Sequence, residues 1–414
     1  MCYSTLRKSA LSRLKQVHQA DLVIGLPTHL VKPDLAAQVA DQAIAGAQKY
    51  YPDLRAVLIN ADTGRKRATR QAIQAVARPG AQIIAGRYCG ALGRGAAISA
   101  ILHSALELQA KVIILLDSCS ETFSPSWIPG LATLILNDRA DLVKPRYELP
   151  LPDSALSDLL FYPFTRAVWG INLHYPAAKD CALSADLAAA VLAQDVWETE
   201  INRDGFDIWL STFASIGEWR LAQTALGIKR YQTEANSPQA LTTFKEAVST
   251  MMYQLTVERH LWPQINQIAS LPTLSEFAPK GEYLPTPEND PKEDIEALML
   301  GWMEYRSLWR KVMLPENLAA VESLAGQPVD LFHFPPDLWA KIVYDFAVVF
   351  NKGVVDPDTV VTSLYPLYRG RLAGFWPEIA GLTAIGRAGT VSAQGVEFEE
   401  HRPYLKQRWD SYTP

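Results

Sequence analysis

Residues 111–120 read Lys-Val-Ile-Ile-Leu-Leu-Asp-Ser-Cys-Ser, and this stretch decides the fold. Positions 112–116 are apolar without interruption, which predicts a strand covered by helices on both faces of a sheet. The apolar run stops abruptly at Asp117. Ligands of open α/β sheets collect at the carboxyl ends of strands, so an acid here predicts a functional site. The alternative is an aspartate that only caps the turn after the strand.

Working outward from this strand, three earlier apolar runs cover residues 22–26, 54–60 and 82–85. Between the last run and residue 112, apolar side chains recur with the spacing of one helix face. They are Ile98, Ile101, Leu102, Ala105 and Leu108. The alternation of strands and helices predicts an α/β protein with a mostly parallel, Rossmann-like sheet and helices on both faces.

The later part of the chain reads as mostly helical, and it contains one proline-rich stretch. Five prolines between residues 271 and 291 are too many for a helix or a central strand. We therefore predict four segments. They are an N-terminal segment (1–20), an α/β domain (21–250), a helix with a proline-rich linker (251–291) and a helical C-terminal region (292–414).

Composition excludes several classes of function. The formal net charge of the 414 residues is −5, and no run of five or more Lys or Arg is present, so nucleic acid is not an expected partner. No segment approaches the roughly 18 apolar residues that span a bilayer, and we expect a cytoplasmic protein without a transmembrane segment. The four cysteines include no CxxC pair. They suit a reducing compartment, and they argue against a thiolate zinc site.

The histidine and serine patterns exclude two classes of hydrolase. The seven histidines show no HExxH spacing, which zincin metalloproteases require. No GxSxG elbow is present to carry a nucleophilic serine.

A glycine-rich loop, residues 90–95, lies immediately before the predicted helix and contains Gly90, Gly93, Arg94 and Gly95. Backbone N–H groups at a helix N-terminus bind phosphate, and Arg94 would add a fixed positive charge. The loop lacks the GK[ST] ending of a Walker motif and the spacing of GxGxxG. The alternative is a loop whose glycines serve turn geometry alone.

Two further places carry candidate acids. Asp62 follows the second apolar run, where it would either accept from a base or ribose or form an Asx turn. Asp204 and Asp207 are three residues apart and are predicted to share one helix face, with Glu200 one turn earlier. Such a pair predicts a metal site, an orienting site for an acceptor hydroxyl, or a solvated acidic face.

Several of these stretches together resemble one family. Residues 195–200 read Asp-Val-Trp-Glu-Thr-Glu and residues 205–210 read Gly-Phe-Asp-Ile-Trp-Leu. This segment is similar to an acid-rich segment of the retaining GT-A glycosyltransferases that make glucosylglycerate, mannosylglycerate or glucosyl-3-phosphoglycerate. Residues 124–128, 162–166 and, weakly, 364–368 are also similar to that family.

The resemblance implies a GT-A fold and a hexosyltransferase that takes its sugar from UDP or GDP. Its acceptor would be a small polar molecule such as glycerate. In this assignment Pro27 and Asp62 contact the nucleoside, and the loop of Gly93, Arg94 and Gly95 contacts the diphosphate. Asp117 is the first acid of the family's Asp-x-Asp signature, which holds ribose and a divalent cation. Asp207, with Asp204 nearby, lies beside the acceptor and the reacting carbon.

The sequence departs from the family in three places, and two of them bear on the metal. Cys119 stands at the second signature acid, and a neutral thiol is a poor ligand for Mg²⁺ or Mn²⁺. The family's metal-binding histidine aligns with Arg230 or Tyr231. The family's Gly-Gly acceptor loop is replaced by residues 177–181. A metal site at Asp117 is therefore doubtful, and the candidates for replacing the cation are Arg94, Lys179, Lys229 and Arg230.

Two hypotheses follow from the sequence. One is a retaining glycosyltransferase that moves a hexose from a UDP- or GDP-sugar to a small polar acceptor, either with a metal or without one. The other is a degenerate transferase fold that acts as a sugar-nucleotide-binding regulator or as a scaffold in a protein assembly. The aromatic helices after residue 292 are predicted either to cover the active site or to bury a homo-oligomer interface.

Overall fold

The computed structural model describes residues 5–29, 31–64, 66–151, 153–231, 238–277 and 291–414. The chain divides into two compact units. The first comprises residues 1–149, 175–234 and 271–284, and the second comprises residues 150–174, 235–270 and 285–414. Most of the predicted proline-rich linker, residues 278–290, lies outside the described residues.

The first unit is built on one nine-stranded sheet. In chain order its strands are β1 (Thr5–Leu6), β2 (Leu22–Thr28), β3 (Ala56–Asp62), β4 (Gln82–Cys89), β5 (Val112–Leu115), β6 (Leu142–Glu148), β7 (Cys181–Ser184), β8 (Leu221–Ile228) and β9 (Thr273–Leu274). In space they run in the order β1-β4-β3-β2-β5-β7-β6-β8-β9. Of these nine strands, only the edge strand β1 and the inner strand β7 run antiparallel to their neighbours. The predicted α/β class with a mostly parallel sheet is confirmed.

In its described residues this unit has seven α-helices. They are α1 (Lys8–Leu14), α2 (Pro33–Tyr50), α3 (Ala68–Gln74), α4 (Arg94–Glu107), α5 (Trp127–Leu136), α7 (Ala185–Leu192) and α8 (Phe206–Ile216). Helices α2 and α5 pack on one face of the sheet, around side chains of the central strands such as Leu22, Ile114 and Val143. Helix α4 lies against the other face, where a Cβ on Gly25 would stand 2.6 Å from a methyl of Ile101. The predicted helices on both faces are therefore confirmed.

The second unit is helical. It contains α6 (Tyr162–Trp169), α9 (Pro238–Val257), α10 (Lys292–Val312), α11 (Pro315–Ala325), α12 (Pro336–Lys352), α13 (Pro357–Ile379), α14 (Ala384–Glu400) and α15 (Arg402–Ser411). The predicted helical C-terminal region is thus present. One buried carboxylate, Asp345 on α12, accepts hydrogen bonds from Asn317, Tyr404 and Arg408 and so ties α11 and α15 to α12. Among the described residues, no helix is both long and apolar enough to cross a membrane.

The sheet extends further than the sequence pattern predicted. Strands β7 and β8 fall in the part of the chain that reads as mostly helical. Strand β7 has only four residues, and β8 is rich in Ala, Leu and Gln, which favour helices. Pairing with neighbouring strands overrides that local preference, since β7 bonds to β5 and β6 and β8 bonds to β6 and β9.

Two pairs of parallel strands are joined where they begin by the same arrangement. An aspartate before one strand accepts three hydrogen bonds from an arginine before the other, and we call this arrangement a clamp. Asp21, just before β2, accepts from the backbone N–H, Nε and Nη2 of Arg55, just before β3, at 2.9–3.1 Å. Asp141 and Arg220, just before β6 and β8, repeat all three bonds at 2.9–3.1 Å. Each clamp aligns the first residues of its two strands and so fixes their register.

The clamps predict an acid-sensitive contribution to stability. Bonds from Arg55 lower the pKa of Asp21 from its ordinary 3.8 to about 2, and Arg220 lowers the pKa of Asp141 in the same way. A lowered folded-state pKa stabilises the fold above pH 4, and this contribution is lost as the pH falls toward 2. Asp21→Asn should therefore destabilise the protein at pH 7 and lose that effect on acidification, as measured by urea unfolding. Asp53→Asn, on an exposed carboxylate, is the control and should change nothing.

Candidate active site

The carboxyl ends of the parallel strands meet at one edge of the sheet, and the start of β7 lies at the same edge because β7 is reversed. The last residues of β2 and β3, Thr28 and Asp62, are register partners. Leu115, which ends β5, pairs with Cys181, which begins β7. Asp117 and Asp180, which flank these two ends, are thereby brought together. The backbone N–H of Asp117 donates to Oδ1 of Asp180 at 2.8 Å.

A lysine ammonium lies between these two carboxylates. Nζ of Lys229, directly after β8, donates to Oδ2 of Asp180 at 2.6 Å and to Oδ2 of Asp117 at 3.1 Å. The side chain of Lys229 is 0% exposed, and those of Asp180 and Asp117 are 0% and 4% exposed. A buried charge is tolerated only when it is paired, so these three residues depend on one another.

Two tyrosines complete the surroundings of the ammonium. Nζ of Lys229 stands 4.9 Å from the ring centroid of Tyr147 and 4.7 Å from that of Tyr231, within cation–π range. The hydroxyl of Tyr147 also donates to Oδ2 of Asp180. Burial and then the charge of Asp180 raise the pKa of Tyr147 well above its usual value, so this phenol keeps its proton.

The electrostatics keep both members of the central ion pair charged. Burial opposes the charge on Asp117, but Lys229 and then Lys179 outweigh it and hold the pKa of Asp117 well below its usual range. Burial likewise opposes the charge on Lys229, and Asp117 and Asp180 together raise its pKa well above the usual value. The pair therefore stays ionised through the physiological pH range.

A second buried ion pair joins two of the residues predicted from the sequence. Arg94 begins α4, and Asp207 lies in the first turn of α8. Nε of Arg94 donates to Oδ2 of Asp207 at 2.7 Å, and Nη2 donates to Oδ1 at 3.3 Å. Nη2 also donates to the carbonyl oxygen of Lys179 at 2.6 Å. The predicted phosphate-binding cation and the predicted catalytic acid thus neutralise each other.

The glycine-rich loop packs against backbone of the segment before α8. A Cβ on Gly93 would stand 2.3 Å from the carbonyl oxygen of Asn202, and one on Gly95 would stand 2.2 Å from that of Ile201. The N–H of Gly95 donates to the carbonyl oxygen of Arg203 at 3.2 Å. Glycines are required here by close approach, and a carbonyl oxygen takes one of the N–H groups expected to bind phosphate.

Asp62 and Pro27 lie at the same edge, as predicted, with their polar atoms engaged. Oδ1 of Asp62 accepts from the Thr28 hydroxyl at 2.9 Å and from the N–H of Gly64 at 3.2 Å, while Oδ2 accepts from Arg70. The Asx turn foreseen as the alternative for Asp62 is thus present. The carbonyl oxygen of Pro27 accepts from the hydroxyl of Ser118 at 3.1 Å.

The prediction that Asp204 and Asp207 share a helix face is wrong. Helix α8 begins at Phe206, so Asp207 lies in its first turn while Asp204 lies in the preceding turn. The reason is local, since Gly205 occupies the N-cap and separates the two acids. Asp204 instead stands near Lys179, whose pKa it helps to raise against the opposing effect of burial. The side chain of Glu200 lies outside the described residues.

The residues at Asp117 do not fit a divalent cation. Its Oδ1 accepts from the N–H of Cys119 at 3.1 Å, and its Oδ2 accepts from Lys229. Burial, followed by the charge of Asp117, raises the pKa of the Cys119 thiol, so it remains protonated and is a poor ligand. Within the described ranges, no three His, Cys, Asp or Glu side chains are grouped closely enough to hold a metal.

The two positions aligned with the family's metal-binding histidine have other contacts here. The ring of Tyr231 covers the Lys229 ammonium, and the N–H of Arg230 donates to the Thr122 hydroxyl at 3.1 Å. Beside them, a cavity of about 210 Å³ opens at the ends of β6 and β8. Its lining includes Thr122, Trp127 and Glu148. The predicted donor-binding residues Asp62, Arg94 and Asp117 are not among its lining residues.

Sequence reasoning missed Asp180, Tyr147 and Arg70 as members of the site. Asp180 was seen only as part of a loop, because β7 was not recognised as a strand. A reversed strand brings its first residue, rather than its last, to the carboxyl edge of its parallel neighbours. Recognition of the short run Cys181–Ser184 as a strand next to β5 would have placed Asp180 beside Asp117.

No family model and no curated protein matches this chain. A solved structure of glucosyl-3-phosphoglycerate synthase from Mycobacterium tuberculosis, in complex with Mn²⁺, UDP-glucose and phosphoglyceric acid, is 18% identical, with a TM-score of 0.44 over 59% of this chain and 83% of that one. A mycobacterial protein is 20% identical, with a TM-score of 0.43 over 61% and 82%. A putative nucleotide-diphospho-sugar transferase from Desulfovibrio desulfuricans is 10% identical, with a TM-score of 0.31 over 57% and 98%. Likenesses of this size assign no function to this chain.

The packing of the glycine-rich loop predicts the effect of one added methyl group. Gly95→Ala should destabilise the protein by about 1–3 kcal/mol, because rigid backbone of residues 201–202 stands where the Cβ must go. Gly389→Ala is the matched control on the exposed face of α14, where nothing lies within 4 Å of the added Cβ. It should be stabilising by up to about 1 kcal/mol. Equal effects of the two variants in thermal unfolding would contradict the tight packing.

Proposed function

We propose that this protein is a glycosyltransferase that moves a hexose from UDP or GDP to a small polar acceptor such as glycerate. The observation that carries the proposal is the grouping of Asp117, Lys229, Lys179 and the Arg94–Asp207 pair at the carboxyl edge of the central strands. This edge is where ligands of open α/β sheets bind. The familial motifs around Asp207 support the same assignment.

In this proposal each group has a place along the donor. Pro27 and Asp62, at the ends of β2 and β3, contact the nucleoside. Asp117, kept ionised by Lys229, accepts from the ribose hydroxyls. Arg94 at the start of α4 and Lys179 just before β7 face the diphosphate, whose negative charge suits two cations.

The proposed reaction breaks the bond between the anomeric carbon and the β-phosphate oxygen and forms a bond from that carbon to an acceptor hydroxyl oxygen. The diphosphate leaves with the bonding electron pair, and the acceptor hydroxyl gives its proton to an oxygen of the leaving diphosphate. Cations fixed beside the leaving diphosphate stabilise the charge that develops on it. Asp207 orients the acceptor, and retention of configuration is inferred from the family resemblance.

The Arg94–Asp207 pair sets a condition for this chemistry. Both Asp207 oxygens accept from the guanidinium, whose side chain is only 8% exposed. A diphosphate carries more negative charge than one carboxylate, and its oxygens can accept two parallel hydrogen bonds from Arg94 as the carboxylate does. We infer that the donor takes Arg94 from Asp207 and so frees the carboxylate for the acceptor.

The second candidate function is a catalytically inactive nucleotide-sugar-binding regulator or scaffold. One observation favours it: the acid and the cation that chemistry requires are paired with each other, and a backbone carbonyl meets the N–H of Gly95. In such a protein the donor would bind without reaching an acceptor.

Calorimetric titration with UDP-glucose, GDP-glucose, UDP-mannose and GDP-mannose tests the proposal, followed by a product assay with glycerate and 3-phosphoglycerate. Binding with formation of a glycosylated acceptor is the expected result. Binding without any product would favour the regulator. Failure of all four donors to bind would overturn the transferase and the nucleotide-sugar-binding regulator and would leave only the scaffold.

The inferred transfer of Arg94 from Asp207 to the diphosphate of the donor gives a sharper prediction. Asp207→Asn leaves a buried guanidinium without its carboxylate, which should cost about 3–5 kcal/mol of stability. UDP should then raise the melting temperature of this variant more than that of the wild type, while turnover falls by about 10²-fold or more. Arg94→Ala should lose the UDP effect altogether.

The matched control is the pair of Arg78 and Asp41, which has the same bidentate geometry at 2.6 and 2.7 Å on a more exposed surface. Asp41→Asn should leave both UDP stabilisation and turnover unchanged. A smaller UDP effect in Asp207→Asn than in the wild type would rule out the transfer of Arg94.

A further inference from the structure

The ammonium of Lys229 has the surroundings of a bound cation rather than those of a surface lysine. Carboxylate oxygens of Asp117 and Asp180 approach it at 3.1 and 2.6 Å, and the rings of Tyr147 and Tyr231 cover its remaining sides. Asp117 follows β5, Asp180 precedes β7, Tyr147 lies on β6, and Tyr231 is two positions beyond Lys229 in the chain. The fold thus builds a cage around one fixed positive charge.

We propose that Lys229 is an internal counter-ion that takes the place of a divalent cation at Asp117, so that this site binds its nucleotide sugar without metal. The inference rests on the proposed function for the identity of the ligand. The sequence offered four cations that could replace the metal: Arg94, Lys179, Lys229 and Arg230. Only Lys229 among them bonds to Asp117, the carboxylate that would bind the metal, so the inference assigns the role to Lys229.

A divalent cation at Asp117 would stand too close to the Lys229 ammonium. A metal bonded to Oδ2 of Asp117 at about 2.1 Å would lie within about 5 Å of the Lys229 ammonium. Two cations this close in a buried site repel each other strongly, since little water screens them. Lys229 and a divalent cation therefore exclude one another.

The carboxylate oxygens around Lys229 already have donors. Oδ1 of Asp117 accepts from the N–H of Cys119, and sulfur is a poor ligand for a cation that prefers oxygen. Oδ1 of Asp180 accepts from the N–H of Asp117, and its Oδ2 from Lys229 and Tyr147. Each carboxylate oxygen in the cage thus has a protein donor.

The two lysines of the site have different partners. Lys229 bonds to both Asp117 and Asp180, while Lys179 stands near Asp204 and Asp117 and is only half-buried. Lys229 is therefore the cation that holds the two carboxylates, and Lys179 is the one that can meet a diphosphate. Lys229 acts as a positioning residue, holding Asp117 ionised and in place.

A metal-rescue experiment tests the inference on the full chain. The melting temperature and Mn²⁺ binding, by calorimetry and electron paramagnetic resonance, are measured for the wild type, Lys229→Ala and the double variant Lys229→Ala with Cys119→Asp. The wild type should ignore both Mn²⁺ and EDTA. Lys229→Ala should melt lower, since two carboxylates lose their cation, and should recover on addition of Mn²⁺.

The double variant keeps the experiment decisive if Lys229→Ala folds poorly. With a third carboxylate it should bind one Mn²⁺ per chain, and Mn²⁺ at about 100 times its Kd should raise the melting temperature by several degrees. Lys144→Ala is the matched control. Lys144 is equally buried on β6, but its Nζ donates to the carbonyl oxygen of Ala178 at 2.8 Å and, among the described residues, forms no ion pair with a carboxylate. That variant should be destabilised without any recovery in Mn²⁺.

The outcomes separate this inference from the proposed function. Recovery of the Lys229 variants by Mn²⁺, with metal-independent donor binding by the wild type, supports both. Recovery without any donor binding by the wild type supports the counter-ion and overturns the function. Donor binding that EDTA abolishes and Mn²⁺ restores supports the function and overturns the counter-ion. Absence of recovery in both Lys229 variants also overturns the counter-ion.

Discussion

The buried ammonium of Lys229 is the constraint around which the carboxyl edge of the sheet is arranged. A charge without access to water must find its partners inside the protein, and here each partner comes from a different strand. Asp117 follows β5, Asp180 precedes β7, Tyr147 lies near the end of β6, and Lys229 follows β8. These strands are consecutive in space. A slip in the register of β5, β7 or β8 would leave an unpaired charge, so the ion cluster and the sheet specify each other.

The two ion pairs of the site differ in what a ligand can do to them. Lys229 is enclosed on all sides, so its bonds to Asp117 and Asp180 belong to the framework. The pair of Arg94 and Asp207 joins two helix starts, and a bound anion can compete for its guanidinium. The protein thus combines a permanent neutralised centre with an exchangeable one. In both ion pairs, the charges of the site are paired with one another inside the protein, but only the Arg94–Asp207 pair can be opened by a ligand.

The sequence predicted the architecture well and the site in part, for physical reasons. Apolar runs such as residues 112–116 indicate a strand that is buried on both faces. The apolar helix face beginning at Ile98 indicates a helix packed on the sheet, so both elements were recognisable. Strand β7 was not, because four residues carry too little pattern and their pairing is decided by distant neighbours. The partners of each predicted residue were also beyond the sequence. The sequence around each residue does not indicate that Arg94 bonds to Asp207, 113 positions away, or that Lys229 bonds to Asp117, 112 positions away.

The clamps of Asp21 with Arg55 and of Asp141 with Arg220 lie at the opposite edge of the sheet from the site. Strand alignment is therefore anchored at one end, while the chemistry is placed at the other. Substitutions at the carboxyl edge can accumulate without loosening the anchored end, and this gives the scaffold a capacity to change its ligand or its charge balance during evolution.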